Sequence, residues 1–311
     1  MDIAVLVPCY NEELTIAKVV GDFRQHLPDA RIYVYDNNSR DRTAEIAAAC
    51  GAIVRHEPMQ GKGHVVRRMF ADVDADVYVM VDGDATYDAA SAPKLVRKLI
   101  EENLDMVVAT RLHAEASDAF RAGHHFGNRV LTGLVSLLFG DRFKDMLSGY
   151  RVFSRRFVKS FPALARGFET ETELAVHCLT IRMPVAEVET PYYSRPQGSV
   201  SKLSTYRDGW RILMTAIRLL KAERPVLFFS FISFVLATAA IVLAIPVVLT
   251  FMETGLVPRL PTALLSASLM ILAFLSLVAG LILANVTEGR REQKRLLYLQ
   301  VPRTDPARSP T

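Results

Sequence analysis

The sequence is poor in cysteine and has no long apolar run near its start. Its three cysteines, Cys9, Cys50 and Cys178, lack the spacing of metal ligands, and a cytoplasmic domain would keep them reduced. The first apolar run, Ile3–Pro8, is far too short for a signal peptide. We therefore assign the cysteines no role and expect no secretory leader.

The chain also lacks a separate basic arm or stripe of the kind that binds nucleic acid. The formal net charge is +4, but the lysines and arginines cluster beside apolar segments near the C-terminus. Anionic lipid headgroups and phosphorylated substrates explain this distribution better than a nucleic acid does. Membrane lipids are therefore expected partners, and nucleic acid is not.

Two segments near the C-terminus carry no formal charge at all. At ~1.5 Å per residue, Val226–Phe251 and Ala263–Val286 would each reach roughly 36–39 Å as helices, enough to cross a hydrocarbon core ~30 Å thick. The loop between them carries only Glu253 and Arg259. Basic residues flank the pair on its outer sides, at Arg218, Lys221, Arg224, Arg290, Arg291, Lys294 and Arg295. The positive-inside rule then predicts a two-helix protein of the cytoplasmic (inner) cell membrane, with both termini and the soluble domain in the cytoplasm. Such a hairpin could also support self-association into a homo-oligomer.

The N-terminal third of the chain alternates short apolar runs with helical patterns. This rhythm is typical of βαβ units and predicts an α/β fold with a mostly parallel sheet. The predicted strands are Ile3–Val7, Ile32–Tyr35, Ala52–Arg55, Val77–Val81 and Met106–Ala109. The predicted helices are Glu12–His26, Thr43–Cys50 and Ala92–Glu102, followed in a less regular part by Asn128–Phe139 and Thr172–Ile181.

The segment Ser201–Glu223 has apolar residues at helical spacing and arginines on another face. A basic amphipathic helix directly before a membrane span is expected to lie in the membrane interface, although an ordinary helix packed on the domain has the same pattern. We therefore predict a soluble domain over residues 1–200, the amphipathic helix over 201–224, a transmembrane hairpin over 225–287 and a basic tail over 288–311.

The segment Val77–Tyr87 ends an apolar run in two carboxylates. Asp82 and Asp84 are separated only by Gly83, which lets the backbone turn. Ligands of open α/β sheets bind beyond the carboxyl ends of the strands, and two acids there suit a divalent cation that bridges a substrate's phosphates. The alternative is a strand end capped by two solvated aspartates, since such a tripeptide alone is common.

Three further segments occur in order with this acidic pair. Pro8–Glu12 follows the first strand, Asp36–Asp41 follows the second, and Gly61–Gly63 (Gly-Lys-Gly) precedes the acidic strand. Together they resemble the family 2 glycosyltransferases of GT-A fold. The two membrane helices narrow the resemblance to the polyprenyl-phosphate glycosyltransferases, the group of dolichol-phosphate mannose synthase and bactoprenol glucosyltransferase. One departure is Asn37, where the family often has a second aspartate, so recognition of the base is expected to differ there.

The resemblance implies a nucleotide-sugar site at the carboxyl edge of the sheet. Asp82 and Asp84 would hold Mg²⁺ or Mn²⁺ on the diphosphate, where the metal neutralises the charge of the departing nucleoside diphosphate. Glu171 and Glu173 would contact the sugar, although acidic residues also suit the start of a helix. The remaining donor-binding residues implied by position are Pro8, Tyr10, Asn11, Glu12, Asp36, Ser39, Lys62, Gly63 and Gly83.

A lipid-phosphate acceptor needs fixed positive charge beside the donor, because two anions repel and arginine is well shaped for phosphate. The lipid-phosphate-binding candidates are Arg111, Arg129, Arg195, Ser199 and Lys202, and the first two are also catalytic candidates. The segment Asp145–Arg151 also matches a family segment, and Asp145 is expected to form a structural turn or to contact substrate. The adjacent His124 and His125 stay unassigned, since neighbours on a helix do not face each other.

These expectations describe an inverting hexosyltransferase that moves a hexose from a UDP- or GDP-linked donor to polyprenyl phosphate on the cytoplasmic leaflet. A phosphate monoester has a second pKa of about 6, so the acceptor is largely ionised at neutral pH and needs no general base. Catalysis would rest on positioning and charge neutralisation. Two alternatives stay open. One is transfer to a hydroxyl of a glycan or lipid-linked oligosaccharide, which needs a general base, and the other is a catalytically silent membrane-anchored binding protein.

Overall fold

The computed structural model describes residues 1–112, 145–164, 169–195 and 217–302, together with residues 133, 143, 167 and 214. The chain divides into two compact units, Met1–Ile212 with Gln293–Thr311, and Leu213–Glu292. Some of the sequence predictions lie outside the described residues. They concern Arg129, Ser199 and Lys202, His124 and His125, the predicted helix Asn128–Phe139, and most of the predicted amphipathic helix.

Within its described residues, the larger unit contains a seven-stranded mixed sheet. The strands are β1 (Ile3–Cys9), β2 (Arg31–Asp36), β3 (Ile53–His56), β4 (Val77–Met80), β5 (Met106–Leu112), β6 (Arg151–Ser154) and β7 (Val185–Pro191). Their order across the sheet is β3-β2-β1-β4-β6-β5-β7. Only β6 runs antiparallel to its neighbours, β4 and β5, so the predicted mostly parallel sheet is confirmed.

Helices cover this sheet, which explains why its central strands are apolar on both faces. Ala4–Val7 in β1 and Val77–Met80 in β4 are completely buried or nearly so. The described helices of this unit are α1 (Ile16–His26), α2 (Thr43–Ala49), α3 (Lys62–Asp72), α4 (Ala92–Glu101), α5 (Arg155–Ser160) and α6 (Thr170–Thr180).

The histidine of α6 lies in an apolar pocket of the core. The ring of His177 packs edge-on against Phe157 and Phe161, with ring centroids 5.4 Å apart in both pairs. Its Nε2 atom lies 3.2 Å from the hydroxyl of Ser160. Burial, with a smaller contribution from Lys294, lowers the pKa of the imidazole to about 3. His177 is therefore neutral in the folded protein at neutral pH.

Element boundaries differ from the predicted ones where glycine and proline suggested loops. The helix α3 was not predicted, because Gly61 and Gly63 flank its first residue, Lys62. Gly61 takes a φ of 132° immediately before the helix, a conformation that glycine allows. The strand β1 extends through Pro8 to Cys9, and β6 and β7 were also not predicted.

The first helix begins later than its sequence pattern indicated. Asn11 takes a φ of 53°, which is incompatible with a helix at that position. The carbonyl of Glu12 then accepts hydrogen bonds from the N–H groups of Thr15 and Ile16, each at 3.0 Å, and α1 starts at Ile16. The predicted start at Glu12 is therefore four residues early, and Glu12 itself belongs to the loop after β1.

The smaller unit contains two long apolar helices, α7 (Pro225–Thr254) and α8 (Leu260–Gln300), and the last residues of α8 belong to the larger unit. Both are long and apolar enough to cross a membrane. α7 continues through Pro246 and ends at Gly255, whose left-handed φ of 66° closes the helix. Since α8 runs on to Gln300, the start of the predicted tail at residue 288 is helical.

Candidate active site

The carboxyl ends of β1 and β2 lie side by side, with Cys9 opposite Asp36 in the parallel register. Asp36 is buried. Its Oδ2 atom accepts a hydrogen bond from the Ser39 N–H at 3.3 Å and lies 3.3 Å from His56 Nδ1. Its Oδ1 atom has no hydrogen-bond partner among the described residues. Among the described residues, Asp36 thus has a buried acceptor without a donor at the predicted nucleoside position.

The loops after β1 and β2 are tied to each other by the side chains of Asn11 and Ser39. The Asn11 N–H donates to Ser39 Oγ at 2.9 Å, and Asn11 Oδ1 accepts from the Arg40 N–H at 2.8 Å. The Glu12 N–H donates to Thr43 Oγ1 at 2.8 Å. These contacts fix the shape of the predicted nucleoside end, with Pro8 in β1 and the partly buried Tyr10 directly after it. Donor binding by these residues stays a prediction.

A buried ammonium group connects three of the predicted donor-site residues. Lys62 Nζ lies 2.5 Å from Asp82 Oδ1 and 2.5 Å from Glu171 Oε1. Burial alone would lower the pKa of Lys62, but the two carboxylates outweigh it and raise that pKa above its ordinary value. Gly63 follows in the first turn of α3 and is buried. The second oxygen of Glu171, Oε2, is buried and has no partner among the described residues.

The second aspartate of the acidic pair is held by different partners. Asp84 Oδ1 accepts hydrogen bonds from the Thr86 hydroxyl at 2.6 Å and the Thr86 N–H at 3.3 Å. Its Oδ2 atom lies 2.6 Å from Arg195 Nη2. Arg195 was predicted to bind a lipid phosphate, and in this structure it pairs with the predicted metal ligand. Both aspartates therefore have a cationic partner.

Two glycines allow the acidic pair to pack closely against its surroundings. A Cβ on Gly83 would lie 2.7 Å from Cys9 Sγ, and a Cβ on Gly149 would lie 2.2 Å from Asp82 Oδ2. Gly149 was not among the predicted site residues. The sequence did contain a signal for this close contact, namely the two adjacent small residues Ser148 and Gly149 in the segment that begins at Asp145. Any side chain at position 149 would therefore force the Asp82 carboxylate to shift.

The arginine of β5 forms a two-point ion pair with the aspartate of the same segment. Arg111 Nε and Nη2 donate to Asp145 at 2.7 and 2.8 Å, and the Arg111 guanidinium carbon lies 5.5 Å from the ring centre of Tyr192. Burial lowers the pKa of Arg111, but Asp145 and neighbouring tyrosines reverse the shift and raise it. Arg111 lies within β5, whereas the sequence placed it after the strand. Asp145 thus orients Arg111, a role left undecided by the sequence.

A second arginine, Arg151, is completely buried at the start of β6. It donates from Nε to the Ser148 carbonyl at 2.9 Å and from Nη2 to the Met146 carbonyl. Burial lowers its pKa. Sequence reasoning did not single it out, although a charged residue next to an apolar strand was visible. By holding two carbonyls, Arg151 fixes the loop that carries Asp145 and Gly149.

The two predicted sugar-contacting glutamates point in different directions. Residues two apart on a helix do not share a face. Glu171 reaches Lys62, whereas Glu173 Oε1 accepts a hydrogen bond from the Leu164 N–H at 2.9 Å. The structure therefore groups Glu171 with the acidic pair and does not bring Glu173 into that group.

The side chains present fit a divalent cation that arrives with a substrate. No cluster of three or more His, Cys, Asp or Glu residues suited to a metal occurs in the part of the chain that the structure describes. Mg²⁺ in particular is usually bound through one or two carboxylates plus substrate phosphates. Asp82 and Asp84 provide two such carboxylates, and each has a cation beside it, Lys62 and Arg195 respectively.

Comparison with known proteins identifies the class to which this fold and site belong. The family described as "Glycosyl transferase family 2" matches residues 4–161. Glycosyltransferase AglJ of Haloferax volcanii is 35% identical over 244 residues, which cover 78% of this chain and 80% of AglJ. The chain therefore belongs to glycosyl transferase family 2.

Two further proteins are similar to this chain over most of its length. The dolichyl-phosphate hexose transferase of Haloferax volcanii is 29% identical over 223 residues, covering 72% of this chain and 96% of that protein. Glucosyl-3-phosphoglycerate synthase of Mycobacterium tuberculosis, crystallised with Mn²⁺, UDP-glucose and phosphoglyceric acid, aligns with a TM-score of 0.58 at 24% identity, over 70% of this chain and 79% of that one. The structural likeness supports the GT-A-like fold.

Proposed function

We propose that this glycosyltransferase moves a hexose from a nucleotide sugar to polyprenyl phosphate at the cytoplasmic face of the cell membrane. The observation that carries the proposal is the buried Lys62 between Asp82 and Glu171, with the second aspartate, Asp84, paired to Arg195. Two apolar helices in the same chain and a similar protein named for dolichyl phosphate support the lipid acceptor.

The donor would bind where buried acceptors have no partner in the described part of the chain. Asp36 Oδ1 would accept a hydrogen bond from the nucleoside, and Glu171 Oε2 from a hydroxyl of the sugar. A buried acceptor without a donor costs free energy, so a ligand that supplies the donor gains that contribution on binding. This arrangement supports a nucleoside diphosphate sugar over a ligand that presents only apolar surface.

Asp82 and Asp84 would hold Mg²⁺ or Mn²⁺ against the diphosphate. The metal, when bound, neutralises charge on the leaving nucleoside diphosphate. Lys62 would turn from Asp82 towards the phosphate oxygens as the donor arrives, and Arg195 would leave Asp84 for the acceptor phosphate. Lysine and arginine are both suited to phosphate, lysine as a point charge and arginine as a planar fork.

The acceptor phosphate would meet the cations on the other side of the sugar. Arg111, oriented by Asp145, is proposed to bind it together with Arg129, Arg195, Ser199 and Lys202. Since the acceptor is ionised at neutral pH, it attacks without a general base, and a single in-line displacement inverts the anomeric carbon. The helices α7 and α8 would anchor the enzyme, with both termini in the cytoplasm.

The test is a donor panel with the full-length protein in detergent. Released UDP or GDP is measured with Mn²⁺, with and without undecaprenyl phosphate, for a set of UDP- and GDP-sugars. Release that requires the lipid and favours one donor is the expected result. Binding of donor without lipid-dependent release would point to a hydroxyl acceptor. Absence of any nucleotide binding would overturn the enzymatic proposal.

A further inference from the structure

The side chain of Asn37, directly after β2, is fully engaged by a neighbouring loop. Asn37 is only 3% exposed. Its Nδ2 atom donates to the carbonyls of Glu57 and Met59, both at 2.8 Å, and its Oδ1 atom accepts from the Gly61 N–H at 2.7 Å. One amide group therefore makes three hydrogen bonds to the loop between β3 and α3.

That loop leads directly into the lysine of the candidate active site. Gly61 is the last residue before α3, and its carbonyl accepts the first hydrogen bonds of the helix, from His64 at 3.0 Å and Val65 at 3.3 Å. Lys62, the next residue, extends to Asp82 and Glu171. A shift of Gly61 would therefore move the origin of the Lys62 side chain relative to both carboxylates.

We infer that Asn37 is a positioning residue, which places Lys62 in the donor site by holding the loop from Glu57 to Gly61. The inference rests on the proposed function, because Lys62 matters to the extent that a nucleotide sugar binds there. It also corrects an expectation from the sequence. Asn37 was expected to alter recognition of the base, but its amide faces the loop, and it is Asp36 that has an acceptor without a partner among the described residues.

An aspartate at position 37 has nearly the same shape but could not make all three of these hydrogen bonds. A carboxylate can still accept the Gly61 N–H, but it has no N–H for the carbonyls of Glu57 and Met59. Two carbonyl oxygens at 2.8 Å from the atom that replaces Nδ2 would instead repel it. The amide is thus required by the two donated hydrogen bonds, which accounts for the departure from two adjacent aspartates.

The experiment uses the full-length protein in detergent and, as probe, whichever of UDP and GDP the wild type binds with Mn²⁺. Asn37→Asp is expected to raise the Kd of that probe at least tenfold, and Asn37→Ser, which adds no charge, by a similar factor. Asn103→Asp is the control, since it makes the same chemical change at an exposed turn remote from the loop. Hydrogen exchange should show that backbone amides over residues 57–66 lose protection in both Asn37 variants. The described strands of the sheet should keep their protection.

Four outcomes would overturn the inference in distinguishable ways. A probe Kd within twofold of wild type, despite a loosened loop, would show that the position of Lys62 does not depend on Asn37. A higher Kd with unchanged protection of the loop would mean that Asn37 contacts the nucleotide directly. Failure of the wild type to bind either probe would remove the proposed function itself. A purely structural role would reduce the folded fraction and leave the Kd of the folded protein unchanged, which also contradicts the inference.

Discussion

Replacing Lys62 by methionine tests how much the buried ion pairs of Lys62 with Asp82 and Glu171 contribute to the free energy of unfolding. The side chains of Lys62 and Glu171 are 10% and 6% exposed, whereas that of Asp82 is 29% exposed. Removing one partner of a buried ion pair costs about 3–5 kcal/mol, because the remaining charge is left buried. Water can reach Asp82, so we expect the lower end, about 3 kcal/mol, and nearly all of it from Glu171.

Thermal unfolding of the full-length protein in detergent measures this loss. For a domain of this size, about 3 kcal/mol corresponds to a Tm lower by roughly 6–12 °C. Lys98→Met is the matched control, since Lys98 at the end of α4 pairs at 2.6 Å with Glu102, the residue after the helix, and the Glu102 side chain is 52% exposed. Removing that surface pair should cost no more than about 0.5 kcal/mol.

A second substitution identifies the source of the instability. In the double variant Lys62→Met with Glu171→Gln, the buried carboxylate is replaced by a neutral amide, so much of the lost stability should return. The reasoning would be refuted if Lys62→Met cost no more than Lys98→Met. It would also be refuted if the double variant were less stable than Lys62→Met alone.

Four further changes test other parts of the site and the core. Asp84→Asn should lower turnover at least ~100-fold with the fold intact, because it removes a carboxylate from the proposed metal pair; nucleoside diphosphate release measures it. Gly149→Ala should weaken Mn²⁺ binding measured in the presence of UDP, because the new Cβ would lie 2.2 Å from Asp82 Oδ2 and displace that carboxylate. His177→Gln should reduce sensitivity to acid: the pKa of His177 is about 3 in the folded protein against 6.5 ordinarily, so the unfolded chain takes up the proton first as the pH falls. The wild type should then lose about 2 kcal/mol more than the variant between pH 7.5 and pH 5 in thermal unfolding. Lys202→Ala should raise the KM for undecaprenyl phosphate about tenfold and leave nucleotide binding unchanged, since it removes one phosphate-binding charge.

For each of these four substitutions, one result would contradict the expectation. Undiminished turnover by Asp84→Asn would remove the metal assignment. Unchanged Mn²⁺ affinity after Gly149→Ala would show that Asp82 has room to adjust. Equal acid sensitivity of His177→Gln and wild type would mean that another group takes up the proton. Equal loss of donor and acceptor affinity in Lys202→Ala would contradict an acceptor role.

The donor half of the molecule could be predicted largely because its signals are local. The apolar run before Asp82 and the polar residues after β2 follow from the burial of central strands and the position of their carboxyl ends. These features require only neighbouring residues along the chain. The fold class and the family could therefore be inferred from the sequence.

The partners within the site could not be predicted, because they depend on contacts between distant parts of the chain. Arg195 pairs with Asp84 across 111 positions of the sequence, and Asp145 with Arg111 across 34. Similarly, Glu171 and Glu173 looked equivalent until the start of α6 fixed which of them faces Lys62. No periodicity or spacing in the sequence contains this information.

The antiparallel strand β6 returns the chain to the sheet after a long segment that follows β5. β5 ends at Leu112 and β6 begins at Arg151, and these strands pair directly in the sheet. The sheet itself therefore fixes both ends of the chain between them, and a longer connection between two fixed ends costs only slightly more entropy. The part of this segment before Asp145, residues 113–142, can thus lengthen, shorten or change in sequence while the strand that ends at Asp36 and the strand that precedes Asp82 keep their register. Evolution could exchange one acceptor for another in this segment without rebuilding the nucleotide-sugar site.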